Sequence, residues 1–85
     1  MYNYKIGLDY EDTEGFMQYE YIVLTHEKKM SKEEFNNYCN MAIANADSKF
    51  VEKQYSNIET YLKENFGFKN LKIENCFDME YRWSR

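Results

Sequence analysis

The sequence predicts a single α+β domain over residues 1-85: a three-stranded antiparallel sheet with one long bent helix or a helical hairpin on one face. Two segments near the ends of the chain alternate between apolar and polar residues, which is the pattern of half-buried strands. Between them, apolar residues recur at helical spacing behind a helix-start signal. The expected order of elements is therefore β-β-α-(α)-β. At 85 residues, without an internal repeat or a Gly/Ser linker, the chain has room for one hydrophobic core.

The first alternating segment covers residues 2 to 10. One of its faces is apolar at every second position, through Tyr2, Tyr4, Ile6, Leu8 and Tyr10. The stretch from Asp9 to Gly15 that follows is acidic and prone to turn, and Gly15 can adopt a positive φ. This stretch predicts a hairpin loop, with a second strand at about residues 16 to 25.

The second strand is apolar on both of its faces, unlike the first. Tyr19, Tyr21 and Val23 lie on one face, whereas Ile22 and Leu24 lie on the other. Helices on one side of a sheet cover only one face, so one of these sets is expected to be exposed as a partner or self-association surface. The alternative is that a loop, a bulge or the chain end covers it.

The helical middle of the chain begins at Ser31, which forms a capping box with Glu34. Apolar residues then repeat at helical spacing: Phe35, Cys39, Ala42 and Ala46. A continuous helix from there to Phe66 would be about 52 Å long at about 1.5 Å per residue. Such a length is large for so small a domain, so a bend or a break is expected.

Two positions compete for this break. Residues 45 to 48 are weak helix formers, while Ser56 and Glu59 make a second capping box. Gly67 is suited to the left-handed position that ends a helix, so the second helical stretch is expected to stop there.

Residues 71 to 83 alternate again and predict a third strand, with a bulge near Asn75 or a frayed end because so long a strand would exceed about 40 Å. Its apolar face consists of Leu71, Ile73, Phe77, Met79, Tyr81 and Trp83. A helical hairpin would place this strand antiparallel beside strand two, whereas one bent helix would place it beside strand one.

Composition argues against several classes of function. The net charge of −4 disfavours direct binding to nucleic acid or to an anionic membrane, although single-strand binding by sheet tyrosines remains an alternative. There is no apolar run of membrane-spanning length and no signal-peptide pattern at the start, so a cytoplasmic location is expected. Cys39 and Cys76 lack metal-site spacing and no cofactor motif occurs, so neither a metal nor a cofactor is expected.

The chain carries no recognisable catalytic motif. The sequence has no serine flanked by glycines and no activated cysteine motif, so His26 has no nucleophile to activate as a general base. Asp9, Glu27 and Lys29 superficially fit a metal-dependent nuclease pattern, which keeps a small metal-dependent enzyme as an alternative. Charged residues are common at the end of a strand, so this short match to a nuclease pattern is not specific. A protein that is not an enzyme is therefore expected.

The predicted partner-binding residues are the acidic hairpin residues and the tyrosines of strand two. Glu11, Asp12 and Glu14 can mimic phosphates toward a basic surface of a protein partner. Tyr19 and Tyr21 can act as aromatic anchors of the kind that dominate interfaces. A homodimer is compatible with the same exposed apolar face.

In profile, the chain resembles the small acidic inhibitors that bacteriophages and mobile elements encode against host defences, such as anti-CRISPR proteins. The resemblance rests on size, acidity, aromatic content and the absent catalytic signature, together with the Tyr-, Asn- and Lys-rich usage typical of AT-rich genomes. It implies a protein that binds and blocks a nucleic-acid-handling enzyme, such as a nuclease, with acidic residues standing in for phosphates.

Overall fold

β1 (Tyr2–Glu11) and β2 (Met17–His26) form the predicted antiparallel hairpin in the computed structural model, which describes residues 1–46, 48–70 and 76–85. Ile6 lies opposite Ile22, so the apolar face of β1 continues across the second strand. In the turn, Gly15 has a φ of 88° and donates its N–H to the Asp12 carbonyl at 3.1 Å. Glycine adopts that φ without a steric cost, which confirms the predicted hairpin loop.

Two helices, α1 (Lys32–Asn45) and α2 (Val51–Phe66), take the place of one long helix. Ser31 Oγ accepts the Glu34 N–H at 3.1 Å, as the first capping box predicts. The first helix ends with Ala46 as its cap, which confirms the break at residues 45 to 48. The alternative break at Ser56 is wrong, because Ser56 lies inside α2.

The C-terminal end of α2 is fixed to the end of β2. Gly67, with a φ of 76°, is the cap that the sequence predicts, and Phe68 donates its N–H to the Leu62 carbonyl at 3.4 Å. His26 Nδ1 accepts the Lys28 N–H at 2.9 Å, so Nε2 carries the proton and donates to the Phe66 carbonyl at 2.7 Å. His26 therefore supplies a partner to a helix-end carbonyl.

The sheet corrects the predicted topology: it is mixed and has four strands, in the order β3-β2-β1-β4. β3 (Lys69–Asn70) pairs antiparallel with β2, whereas β4 (Met79–Ser84) pairs in parallel with β1 at the opposite edge. Asn70 thus lies beside Leu24 at one edge of the sheet, and Met79 lies beside Tyr4 at the other edge. The predicted strand residues 71 to 75, including the bulge near Asn75, lie outside the described residues.

The hydrophobic core lies between the helices and the face of the sheet that carries Tyr4, Ile6 and Leu24. Its centre is aromatic: the ring of Phe35 lies 4.8 Å from that of Tyr4 and 6.4 Å from that of Phe68. Met79, Tyr81 and Trp83 of β4 pack against this cluster, as their alternation predicts. Among the described helices, none combines the length and the hydropathy needed to cross a membrane.

The hydroxyl of Tyr4 joins the core to the loop before α1. It donates to the Lys28 carbonyl at 2.7 Å and accepts the buried Met30 N–H at 2.8 Å. We expect Tyr4→Phe to lower the free energy of unfolding by about 1–3 kcal/mol, because the Met30 N–H loses its partner. Urea unfolding measures the loss, and Tyr81→Phe is the matched control, since the Tyr81 hydroxyl bonds to Asn40 at the exposed surface. Equal losses in the two variants would contradict this role of Tyr4.

Candidate functional site

The sheet face opposite the helices carries a cluster of aromatic and charged side chains, which we call the open face. Strand register places these residues side by side, because Gly7 lies opposite Tyr21 on β2 and beside Arg82 on β4. The open face consists of Lys5, Gly7 and Asp9 from β1, Tyr19 and Tyr21 from β2, Phe77 from the segment before β4, and Glu80 and Arg82 from β4. It therefore assembles residues from both ends of the chain.

Tyr19 lies across the backbone of Gly7. A Cβ atom at position 7 would stand 2.6 Å from Tyr19 Oη and 2.8 Å from its Cε1, so only glycine leaves room for the ring. The guanidinium carbon of Arg82 lies 4.2 Å from the centre of the same ring, and the Tyr19 hydroxyl donates to Glu80 Oε2 at 3.3 Å. These contacts hold Tyr19 in one position from three sides.

The charges of the open face are paired within it. Arg82 donates from Nε and Nη2 to the two carboxylate oxygens of Asp9, each at 2.7 Å, in the forked geometry that arginine favours. Hydrogen bonding to Arg82 lowers the pKa of Asp9 below its ordinary value, despite partial desolvation. Lys5 Nζ lies 3.5 Å from Glu80. Both cations of this surface thus already have carboxylate partners.

Tyr21 and Phe77 are the exposed aromatic residues of the open face, where the Arg82 side chain is exposed as well. Lys5 Nζ lies 4.3 Å from the centre of the Tyr21 ring and 4.9 Å from that of Phe77, so its ammonium group contacts both rings. The Lys5 side chain is only 17% exposed, whereas Tyr21 is 44% and Phe77 46% exposed. The Lys5 ammonium group is therefore shielded behind two exposed aromatic rings.

The structure separates the predicted partner-binding residues into two groups. Tyr19 and Tyr21 lie together on the open face, with ring centres 6.0 Å apart. Glu11, Asp12 and Glu14 lie at the hairpin end of the sheet. The second group is not uniform, because only its two glutamates are exposed.

The carboxylate of Asp12 is used inside the hairpin turn. It accepts the N–H groups of Glu14 and Phe16 and the Gln18 side-chain amide, each at 2.9 Å. The bond from the Phe16 N–H is the largest cause that lowers the pKa of Asp12. Asp12 therefore shapes the turn and positions its neighbours, while Glu11 and Glu14 keep their carboxylates toward solvent.

A second concave surface lies between the hairpin and the start of α2. This hairpin–α2 groove has a volume of about 790 Å³ and is lined by Tyr10, Glu11, Asp12, Thr13, Phe50, Val51, Glu52, Lys53 and Ser56. Tyr10 belongs to the helix-facing side of β1, so the groove and the open face are separated by the sheet.

The sequence did not identify Lys5, Asp9, Arg82 or Phe77 as members of the site. Phe77 was expected in the core, yet it is 46% exposed and lies against Lys5. It precedes β4, so the alternation of that strand does not decide its face. An isolated glycine in a strand often marks a place where another group packs closely against the backbone. In this sequence Gly7 is that signal, because the Tyr19 ring packs against it.

The candidate catalytic residues do not come together. Asp9 lies opposite Tyr19 near the hairpin, whereas Glu27 follows His26, which lies opposite Tyr2 at the other end of the sheet. Both ring nitrogens of His26 are engaged in structural hydrogen bonds. In the part of the chain that the structure describes, no three metal-ligating side chains cluster.

The two cysteines have different surroundings. Burial raises the pKa of the Cys39 thiol to about 12, which keeps it protonated, and its place in the core is structural. Cys76 is exposed next to the open face, and its carbonyl accepts the Asn3 side-chain amide at 3.3 Å.

Comparison of the chain with protein-family models, with curated proteins and with solved structures gives no match.

Proposed function

We propose that this protein is a non-enzymatic protein-binding module and that the open face is its interface. The observation that carries the proposal is the exposure of Tyr21 and Phe77, two large aromatic side chains that both contact Lys5 on the open face. Aromatic residues of this kind contribute most of the binding energy in many protein interfaces.

The rigidity of the open face supports this function. Ordering a free side chain at an interface costs about 0.5–1.5 kcal/mol, and that cost is reduced where the side chain is already held. Tyr19 is held by Gly7, Arg82 and Glu80, and Lys5 fills the space behind Tyr21. A partner would meet a surface that is ordered before binding.

The charge pattern favours a protein partner over nucleic acid. Binding to a phosphate backbone requires cations that can exchange counterions for phosphates. Arg82 is bonded to Asp9, and Lys5 lies beside Glu80 behind the aromatic rings, so a phosphate would have to displace a carboxylate at each. The net charge of −4 acts in the same direction.

We further propose that the partner is a nucleic-acid-handling enzyme and that binding inhibits it, as the profile of small acidic inhibitors implies. Glu11 and Glu14 support this extension, because they are exposed at the hairpin end of the sheet and form no ion pair within residues 1–46, 48–70 and 76–85. Exposed carboxylates can occupy the positions of phosphates on a basic surface.

Replacing both Tyr21 and Phe77 with alanine is expected to weaken partner binding by at least about 30-fold, the effect of losing one strong anchor of about 2 kcal/mol. Quantitative affinity capture from the source cells identifies proteins enriched by the wild-type chain, and calorimetry with the purified partner gives the affinities. Met41→Ala is the matched control, because Met41 is similarly exposed but lies on α1.

The proposal fails if the double variant captures the same proteins with unchanged affinity while its unfolding curve matches that of the wild type. A parallel titration with oligothymidine tests the nucleic-acid alternative. Saturable tyrosine quenching that disappears in the double variant would assign the open face to single-stranded nucleic acid instead.

A further inference from the structure

The hairpin–α2 groove combines an apolar surface with acidic walls. Phe50 is 69% exposed and contributes its ring to the groove together with Tyr10 and Val51. Glu11 and Asp12 line the hairpin side and Glu52 lines the helix side, against a single cation, Lys53. Its formal charge is therefore −2, three carboxylates against one ammonium group.

The Tyr10 hydroxyl lies in a negatively charged environment at the helix-facing side of the groove. Burial is the largest cause that raises the pKa of its hydroxyl, and the carboxylates of Glu20, Glu52 and Asp12 raise it further. These three acidic residues belong to β2, α2 and the hairpin turn, so the negative charge near Tyr10 comes from three different elements. A cation entering the groove would be stabilised by the same charges.

Both walls of the groove are held in place. Asp12 fixes the hairpin turn through its three hydrogen bonds. On the other side, Arg85 donates to the carbonyls of Ser48 and Lys49 at 3.1 and 2.7 Å and to Gln54 at 2.6 Å, which ties the start of α2 to the end of β4. The groove is thus preformed, which reduces the entropic cost of filling it.

We propose that the hairpin–α2 groove binds a basic segment of the partner protein, in which an apolar side chain packs on Phe50 and flanking lysine or arginine residues pair with Glu11 and Glu52. The inference rests on the proposed protein-binding function and names the chemistry of the partner at a second, separate surface. The negative charge of the groove favours a positively charged segment as its ligand. Glu11 and Glu52 are exposed and unpaired within the described residues, so they can accept cations without breaking a native contact.

The start of α2 offers a further contact for such a segment. Phe50 is the N-cap of this helix and supplies no capping side chain. First-turn N–H groups of an uncapped helix are free to donate to an acceptor such as a peptide carbonyl. Glu11 and Glu52 line the same groove and would repel an anionic ligand there.

The test uses the full ¹⁵N-labelled chain and a short acetylated peptide in which lysine and leucine alternate. We expect saturable amide shift changes confined to residues that line the groove, with an affinity that falls at least about tenfold when the salt concentration is raised to about 0.3 M. The double substitution Glu11→Lys with Glu52→Lys is expected to abolish the shifts. Glu27→Lys with Glu64→Lys makes the same change of charge at exposed positions outside the groove and should leave them intact.

The inference would be overturned by the absence of saturable binding, by equal binding of a peptide with glutamate in place of lysine, or by shifts that spread over the acidic surface. Shifts confined to the open face would also exclude the groove. The peptide experiment is repeated in the Tyr21→Ala and Phe77→Ala background. Groove binding is expected to persist there, so failure of the groove and failure of the open face are distinguished.

Discussion

Phe35→Ala is expected to lower the free energy of unfolding by about 3–5 kcal/mol, because it removes the ring at the centre of the core. Phe35 has no exposed surface and stands between Tyr4 of the sheet and Phe68 beyond α2. Removing its ring leaves a cavity that three different elements would have to move to fill. A chain of this length has a total stability of about 4–13 kcal/mol, so the substitution would remove at least about a quarter of it.

Urea unfolding followed by circular dichroism measures this effect, with Phe35→Leu as the control. Leucine keeps most of the volume, so its cost is expected to stay below about 1.5 kcal/mol. A loss below about 1 kcal/mol for the alanine variant would mean that the core collapses around the gap and that Phe35 is not its centre.

Gly7→Val is expected to destabilise the protein by about 1–3 kcal/mol and to disrupt the open face. The new Cβ atom would overlap the ring of Tyr19, which would have to leave its position between Gly7 and Arg82. Its hydrogen bond to Glu80 would be lost with it. Thermal unfolding measures the stability, and the tyrosine ring resonances report whether Tyr19 has moved.

A double-mutant cycle with Tyr19→Ala isolates the cause of this effect. Once the ring is absent, valine has space at position 7 and favours the strand, so the same substitution should be neutral or stabilising. Additive losses, with the same cost of Gly7→Val in both backgrounds, would show that the constraint at position 7 does not come from Tyr19.

The parts of the fold that depend on local pattern could be predicted from the sequence. The alternation from Tyr2 to Tyr10 specified β1 and its buried face, and the pairing of Ser31 with Glu34 specified the start of α1. The same local reasoning failed at Ser56, because a serine followed three residues later by a glutamate also fits a helix interior. The actual start of α2, at Phe50 and Val51, has no capping side chain to mark it.

The neighbours of β4 could not be predicted, for a physical reason. Alternation states which face of a strand is buried, and Met79, Tyr81 and Trp83 do pack on the core. The alternation does not determine which strand lies next to β4, because strand order depends on the path of the whole chain. The predicted antiparallel pairing of the third strand therefore differs from the observed parallel pairing with β1.

The same distinction applies to the candidate site. The apolar character of both faces of β2 was sufficient to single out Tyr19 and Tyr21, which the structure places on the open face. The cross-strand contacts of Lys5 with Phe77 and of Asp9 with Arg82 join residues more than 70 positions apart, and no local pattern encodes them. The role of Asp12 in the turn likewise appears only from its hydrogen bonds.

The pairing of β4 with β1 also has a consequence for the order of assembly. During synthesis, β1 and β2 emerge before β4 and can form their hairpin, yet Arg82 is 73 residues away from the Asp9 carboxylate that it binds. Until β4 docks, one edge of β1 is unpaired, and such an edge invites pairing with other chains. The open face is therefore completed late in folding, at the same step that covers the free edge of β1 and protects the nascent sheet from aggregation.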